Sequence, residues 1–230
     1  MVRVSTIGGK MKHFSTLILS ICLLFYFSGA ALAFNFSPDD GIDRSMVVPY
    51  TKPTLSSLTK VLGDTAHMKV YGALTQQDEV YIYDDIQLLL TKPDVTKIKV
   101  YLNSAGGGAF AGFAIGDQFR RIKDNFTLSV HASGIVASAA VMVFAAFENR
   151  YAAPNTMFMV HEVAVGATEG MNRTDVKNME EMFDQLTERY IGILVEVTGS
   201  TKVGWETMLE EETYFFVNQA EAWGLVTEVK

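Results

Sequence analysis

Apolar positions from Met68 onward follow two periods. Ile98, Val100 and Leu102 repeat at every second residue, as do Leu128, Val130 and Ala132, which is the spacing of strands with one buried face. Tyr83, Ile86, Leu89 and Leu90 fall at helical spacing, and so do Ile115, Phe119 and Ile122. Lys69-Val70-Tyr71 predicts a short strand stopping at Gly72. The run Asn103 to Gly108 is read as breaking the strand before it, and Ser133-Gly134 as ending the strand at Ala132. A helix of small residues is expected from about Ser138 to Ala146, and Met157 to Val160 reads as an apolar strand closed by His161. Val176, Met179, Phe183, Leu186, Tyr190, Ile193 and Val197 keep helical spacing over about six turns, and Gly199 stands where a C-cap belongs. Asn218 caps a last short helix that ends before Gly224, and Leu225 to Val229 reads as a final strand. Strands alternating with helices predict an α/β fold of parallel βαβ units.

The residues before Met68 follow a different pattern. Arg3, Lys10 and Lys12 form a positive region, Phe14 to Phe27 an apolar stretch shorter than the roughly 20 residues of a membrane span, and Ala31-Leu32-Ala33 a small-x-small cleavage site. Residues 1–33 are therefore expected to be a signal peptide and the chain to be exported, periplasmic or secreted. An uncleaved membrane anchor is the alternative, and Met11 is a second candidate start. Residues 34–66 read as an N-terminal arm with turn signals at Ser37-Pro38-Asp39-Asp40-Gly41 and Lys52-Pro53, leaving 67–230 as the main domain.

Composition narrows the function classes. Of 230 residues, 49% are apolar and 20% charged, which permits a sizeable core and argues against a disordered chain. The formal charge is −7; loss of residues 1–33 removes three cations and no acid and makes it about −10. With no basic stripe, nucleic acid is excluded as a general partner. The one cysteine, Cys22, lies in the signal segment, so the mature chain would carry neither thiol nor disulfide. There is no His/Cys ligand cluster and no phosphate-loop motif, so neither metal nor other cofactor is expected.

Three features fall at carboxyl ends of predicted strands, where parallel α/β sheets place their sites. Gly106-Gly107-Gly108 lets backbone approach a ligand and aim N–H groups at an anion, one use of which is an oxyanion hole. Ser138 opens a helix among small neighbours, where the N–H of Ala139 is a second donor. His161 supplies a base with a pKa near neutrality, as a serine nucleophile requires. His131 competes for that role from within a strand. A carboxylate should orient the imidazole; Glu210, Glu211 and Glu212 are all candidates, and spacing does not choose among them.

Together these segments resemble the proteolytic subunit of the Clp protease, ClpP, over about residues 68–229. Tyr101 to Gly107 is similar to the family's strand and Asn-Ser-Pro-Gly-Gly turn, continued by Ala111 to Asp117. Gly134 to Ala139 resembles the segment around the nucleophile. Ala153-Pro154-Asn155 followed by Met157 to His161 resembles the segment that carries the base. Glu212-Thr213-Tyr214-Phe215 and Ala220 to Val226 resemble the end of the pattern. The resemblance implies a Ser138–His161–Glu212 triad, with the N–H groups of Gly107 and Ala139 as the oxyanion hole. It also implies a ClpP/crotonase-type fold of stacked βαβ units with a protruding helical handle at about 162–198, and a homo-oligomeric ring acting on unfolded proteins or peptides. Glu212 replaces the usual Asp, Ala105 the usual Pro, and Ala140 a common Gly. An ATP-dependent unfoldase is implied as a partner only if the chain is not exported.

The implied activity is that of a serine endopeptidase working through an acyl-enzyme. Three rivals differ from it in chemistry. A Ser-Lys signal-peptide peptidase of the same superfamily would use Lys177 or Lys202 as base, and a crotonase-like acyl-CoA enzyme would use carboxylates instead of Ser138. A catalytically inactive assembly subunit would result if Glu212 failed to orient His161.

Overall fold

The computed structural model describes residues 54–163 and 172–230. The expected signal segment 1–33, the expected arm as far as residue 53 and residues 164–171 of the expected handle lie outside the described residues. In chain order the elements are β1 (Thr59–Leu62), β2 (Thr65–Leu74), α1 (Gln76–Leu90), β3 (Lys97–Gly107), α2 (Ala109–Arg121), β4 (Thr127–Ala137), α3 (Ala139–Phe144), β5 (Asn149–Ala152) and β6 (Met157–Val160). They continue with α4 (Arg173–Thr198), α5 (Lys202–Glu210), β7 (Thr213–Phe216), α6 (Val217–Ala222) and β8 (Glu228–Val229).

The strands form one sheet in the order β1-β2-β3-β4-β5-β8, with β6 joined to the far end of β4 and β7 to β6. All pairs from β2 to β8 along that path are parallel, and among the described residues only β1–β2 and β6–β7 are antiparallel. This is the expected α/β arrangement of βαβ units. The periodicity acts through burial: Ala66, Met68 and Val70 of β2, Ile98, Val100 and Leu102 of β3, and Leu128, Val130 and Ala132 of β4 all turn into one core. There they meet Ile82, Ile86 and Leu89 of α1 and Ile115 and Phe119 of α2.

Several boundaries differ from the sequence reading. Thr59 to Ala66, assigned to the arm, is β1 and the start of β2. Their hairpin turns at Gly63 (φ 59°), and Asp85, buried in α1, anchors its entry by accepting from the N–H and Oγ of Ser56 at 2.6 Å. β2, β3 and β4 all run further than predicted, because glycines at positive φ bend their strands without ending them. Tyr83 and Leu90 face solvent while Ile82 and Asp85 are buried, a rotation of the α1 face that its apolar residues alone did not fix. The last helix opens at Val217, where Gln219 Oε1 accepts from the Phe216 N–H, so Asn218 is not its cap; β8 comprises only Glu228 and Val229.

The handle is led by α4, 26 residues long and so about 39 Å. Asn172 caps it by accepting from the N–H groups of Thr174 and Asp175, and Gly199 ends it at φ 68°. Only Tyr190, Ile191 and Leu194 of this helix are buried, all near its C-terminal end; Val176 and Met182 are exposed. The helix is therefore seated on the core by its last turns, and its first half stands clear.

Candidate active site

A bulge in β4 builds the site. Leu102 pairs with Ala132, but the next pair is Ser104 with Val136, so Ser133, Gly134 and Ile135 all lie across from Asn103. Asn103 Oδ1 accepts from the Ile135 N–H at 3.2 Å. Gly134 sits at φ 71°, and a Cβ there would come within 2.8 Å of the same oxygen. Before the bulge β4 pairs with β5; after it, with β6. That change of partner carries Ala137 and Ser138 alongside Met159 and the start of the His161 segment, and the Ser138 N–H donates to the Met159 carbonyl at 2.9 Å.

Ser138 stands at the strand-to-helix turn with φ 53° and ψ −128°, a strained conformation for a residue with a side chain. The α3 residues behind it are all buried, so the turn cannot relax inward. His161 Nε2 lies 2.8 Å from Ser138 Oγ. The sequence-predicted nucleophile and base are thus in direct hydrogen-bond contact, at the separation a proton transfer requires.

The glycine run packs against this turn. Gly106 has φ 94°, and a Cβ on it would lie 2.7 Å from the Ala137 carbonyl oxygen. Gly107 has φ 148°, and a Cβ there would overlap the backbone of Leu74. Buried Ser104 fixes the run: its Oγ donates to the Gly72 carbonyl at 2.6 Å and accepts from the Gly106 N–H at 3.0 Å. Ala139 is the first residue of α3, and its N–H has no acceptor within the helix. Gly107, Ala139, Ser138 and His161 all line one cleft of about 290 Å³, whose other walls are Ala105, Ala109, Met142, Glu162, Val163 and Tyr190.

The acid candidate is placed differently. β7 runs antiparallel to β6 with Thr213 opposite Val160, so the next residues outward are Glu212 and His161. Glu212 is nevertheless exposed at φ 48°, and its Oε1 accepts from the Tyr214 hydroxyl at 3.1 Å. Among the described residues no hydrogen bond joins Glu212 to His161. The expected orienting contact is thus not made: the carboxylate, in the turn before β7, is directed toward a phenol two residues further along the chain. That acceptor raises the Tyr214 pKa above its ordinary value.

The other candidate bases do not enter the cleft. Lys177 pairs with Glu181 at 3.6 Å, and Lys202 with Glu188 at 2.9 Å and Glu206 at 3.2 Å, all at the surface. His131 sits in a row of rings across the open face of the sheet, between Tyr101 and Tyr151. Three contributors escaped the sequence reading. In the sequence Asn103 and Ser104 read as strand breakers, although polar residues in an apolar strand are the available signal. Tyr190 was read as one position of an apolar stripe; its buried hydroxyl donates to the Ser138 carbonyl at 3.3 Å.

Parallel βαβ units, a serine on a strained strand-to-helix turn and a histidine bonded to it together define an α/β protein built for nucleophilic chemistry. The sequence model of the Clp protease family matches residues 51–230, and the chain belongs to that family. It is 28% identical over 196 residues to the ATP-dependent Clp protease proteolytic subunit 3 of Rhizobium meliloti (strain 1021), covering 83% of this chain and 94% of that protein. It is 29% identical over 139 residues to proteolytic subunit 1 of Chlamydia muridarum (strain MoPn / Nigg), covering 60% of this chain and 72% of that protein. Among solved structures, a mutant of ClpP1 from Listeria monocytogenes superposes with a TM-score of 0.64 at 26% identity, over 71% of this chain and 90% of the other.

Proposed function

We propose that this chain is a serine endopeptidase that hydrolyses peptide bonds in unfolded proteins or peptides. Ser138 is the nucleophile, His161 the general base and then acid, and Glu212 the carboxylate that stabilises the imidazolium. The N–H groups of Gly107 and Ala139 hold the oxyanion. The observation that carries this reading is the 2.8 Å contact between His161 Nε2 and Ser138 Oγ, inside a cleft that both proposed oxyanion residues line.

Ser138 Oγ attacks the carbonyl carbon while its proton passes to His161 Nε2. The carbonyl π electrons move onto oxygen, which the two backbone donors stabilise by about 3–4 kcal/mol each. The imidazolium then protonates the amine as the C–N bond breaks, leaving an acyl-enzyme on Ser138. Water, activated by the same imidazole, releases the acid and restores the serine. Glu212 takes part once its carboxylate leaves Tyr214 and turns to His161.

The protein works as a homo-oligomeric ring, with the exposed half of α4 as a contact surface. Residues 1–33 direct its export to the periplasm or beyond. The relatives named above are ATP-dependent proteolytic subunits; an exported chain has no ATP-driven unfoldase beside it and takes segments already unfolded. An unfoldase partner belongs only to a retained chain.

Labelling the mature protein with a fluorophosphonate tests the chemistry: wild type is expected to label and to cleave a fluorogenic peptide, and Ser138→Ala to do neither. Size measurement and fractionation of a tagged chain test the ring and the export. One observation favours a second reading. Glu212 is bonded to Tyr214 and not to His161, as in an assembly subunit without activity; a wild-type oligomer that neither labels nor cleaves would establish it.

A further inference from the structure

Tyr190 carries a polar group from the long helix α4 to the nucleophile's turn. Its ring is buried, and its hydroxyl donates to the backbone carbonyl of Ser138 at 3.3 Å. The same carbonyl oxygen accepts from the Val141 N–H at 2.9 Å. That carbonyl and the N–H of Ala139 belong to one peptide unit. In a planar trans peptide they point in opposite directions, so whatever fixes the oxygen aims the N–H. Tyr190 and Val141, both buried, hold the oxygen, and Gly106 approaches the Ala139 nitrogen so closely that a Cβ there would stand 3.1 Å from it.

We infer that Tyr190 is a positioning residue for the oxyanion hole: its hydroxyl holds the Ser138–Ala139 peptide plane so that the Ala139 N–H faces the cleft. This rests on the peptidase reading above and adds to it a residue from the handle helix.

Two physical effects follow from the bond. Ser138 occupies a strained backbone well, and a strained turn keeps its geometry only when its surroundings over-determine it; removing one of two bonds on the carbonyl lets the plane tilt. Hydrogen bonds on the carbonyl also polarise the peptide and make its N–H a stronger donor, most of all when the oxyanion carries full charge. The 3.3 Å separation is long for a hydroxyl bond and leaves room for it to shorten at that stage. Full burial raises the Tyr190 pKa, so the phenol stays protonated and remains a donor across the working pH range.

Tyr190→Phe keeps the ring and deletes the donor. The expected result is a fall in kcat of about tenfold, the size of one neutral hydrogen bond felt in the transition state, with KM within twofold of wild type. Affinity for a peptide boronic acid, whose tetrahedral adduct with Ser138 puts an oxygen in the hole, should weaken by the same factor, while the thermal midpoint moves by less than about 3 °C. The inference is overturned if kcat and boronate affinity stay within twofold of wild type, or if KM and the thermal midpoint change while kcat does not. A wild type that shows no Ser138-dependent turnover defeats the peptidase reading and this inference with it. Normal wild-type turnover that Tyr190→Phe leaves intact defeats this inference alone.

Discussion

A Cβ placed on Gly106 would lie 2.7 Å from the Cβ of Ser138. The first glycine of the turn is therefore the surface against which the Ser138 bend is pressed, and its φ of 94° excludes other residues on backbone grounds as well. Gly106→Ala should cost about 2–4 kcal/mol of stability and lower fluorophosphonate labelling of Ser138 by about 100-fold or more. Gly63→Ala is the matched control. Its φ of 59° is also positive, but a Cβ there would meet nothing within 4 Å. It should cost about 1–2 kcal/mol and leave labelling intact. Denaturant unfolding together with labelling kinetics separates the two.

The choice of base follows from contacts already made. His161→Ala should lower kcat/KM by about 10⁴-fold or more, since nucleophile and base act as a unit. Lys177→Ala and Lys202→Ala should stay within twofold of wild type, because both lysines are held in exposed ion pairs away from the cleft. Retained activity in the histidine variant together with loss in a lysine variant would reverse the assignment. Peptide hydrolysis near pH 8 provides the comparison.

Much of this site was legible in the chain because its parts fall at strand ends, and strand ends are marked by a change of period. Ser138 and His161 each follow an apolar run, and the structure brings them together. The bulge was not legible. Ser133-Gly134 reads as an ending, and only the register shows that β4 goes on with a new partner and that the Asn103 side chain satisfies the amide set free. The reach of Glu212 was equally hidden, because neither its positive φ nor its hydrogen bond from Tyr214 is encoded in composition or spacing. Tyr190 illustrates a third limit: helical spacing says that a side chain is buried but not which atom its hydroxyl meets.

Glu212 has a competitor for its carboxylate, and the competitor can be removed. Glu212→Gln should lower kcat/KM by about 10²–10⁴-fold if the carboxylate orients and stabilises the imidazolium. Tyr214→Phe deletes the hydroxyl that now donates to Glu212. The bond is exposed and therefore weak, so freeing the carboxylate should raise kcat/KM only modestly, about two- to fivefold. A Tyr214→Phe enzyme slower than wild type would mean that the phenol supports the acid instead of diverting it.

Arg150 secures the end of the chain without a carboxylate partner among the described residues. Its buried guanidinium donates to the carbonyls of Leu225 at 2.8 Å, Phe147 at 2.7 Å and Gly224 at 3.0 Å, which fixes the segment leading into β8 beside β5. Burial lowers its pKa. A lysine cannot serve carbonyls in three directions from one nitrogen at the end of a flexible stem. Arg150→Lys should therefore lose about 2–4 kcal/mol in denaturant unfolding, while any molecules that remain folded still label at Ser138. A loss below about 0.5 kcal/mol would show that the carbonyls find other donors.

His131 gives the fold a pH dependence separate from catalysis. It lies half-buried in a row with Tyr101 and Tyr151, ring centroids 5.8 and 4.8 Å away, and Ser129 Oγ is 3.3 Å from its Nε2. Burial lowers its pKa to about 4, with Lys99, Lys230 and His67 adding repulsion. Between that value and its ordinary 6.5, the unfolded chain binds a proton that the folded chain refuses. The His131 contribution is therefore complete above about pH 6.5 and is lost as pH falls toward 4. The ring is only partly shielded from solvent, so the whole effect should amount to about 1–2 kcal/mol and not the full value of the shift. His131→Gln, which cannot titrate, should flatten this part of the stability curve between pH 6.5 and 4 relative to wild type. Equal slopes for the two proteins across that window, measured by urea unfolding at several pH values, would show that His131 takes up its proton in the folded state as readily as in the unfolded one.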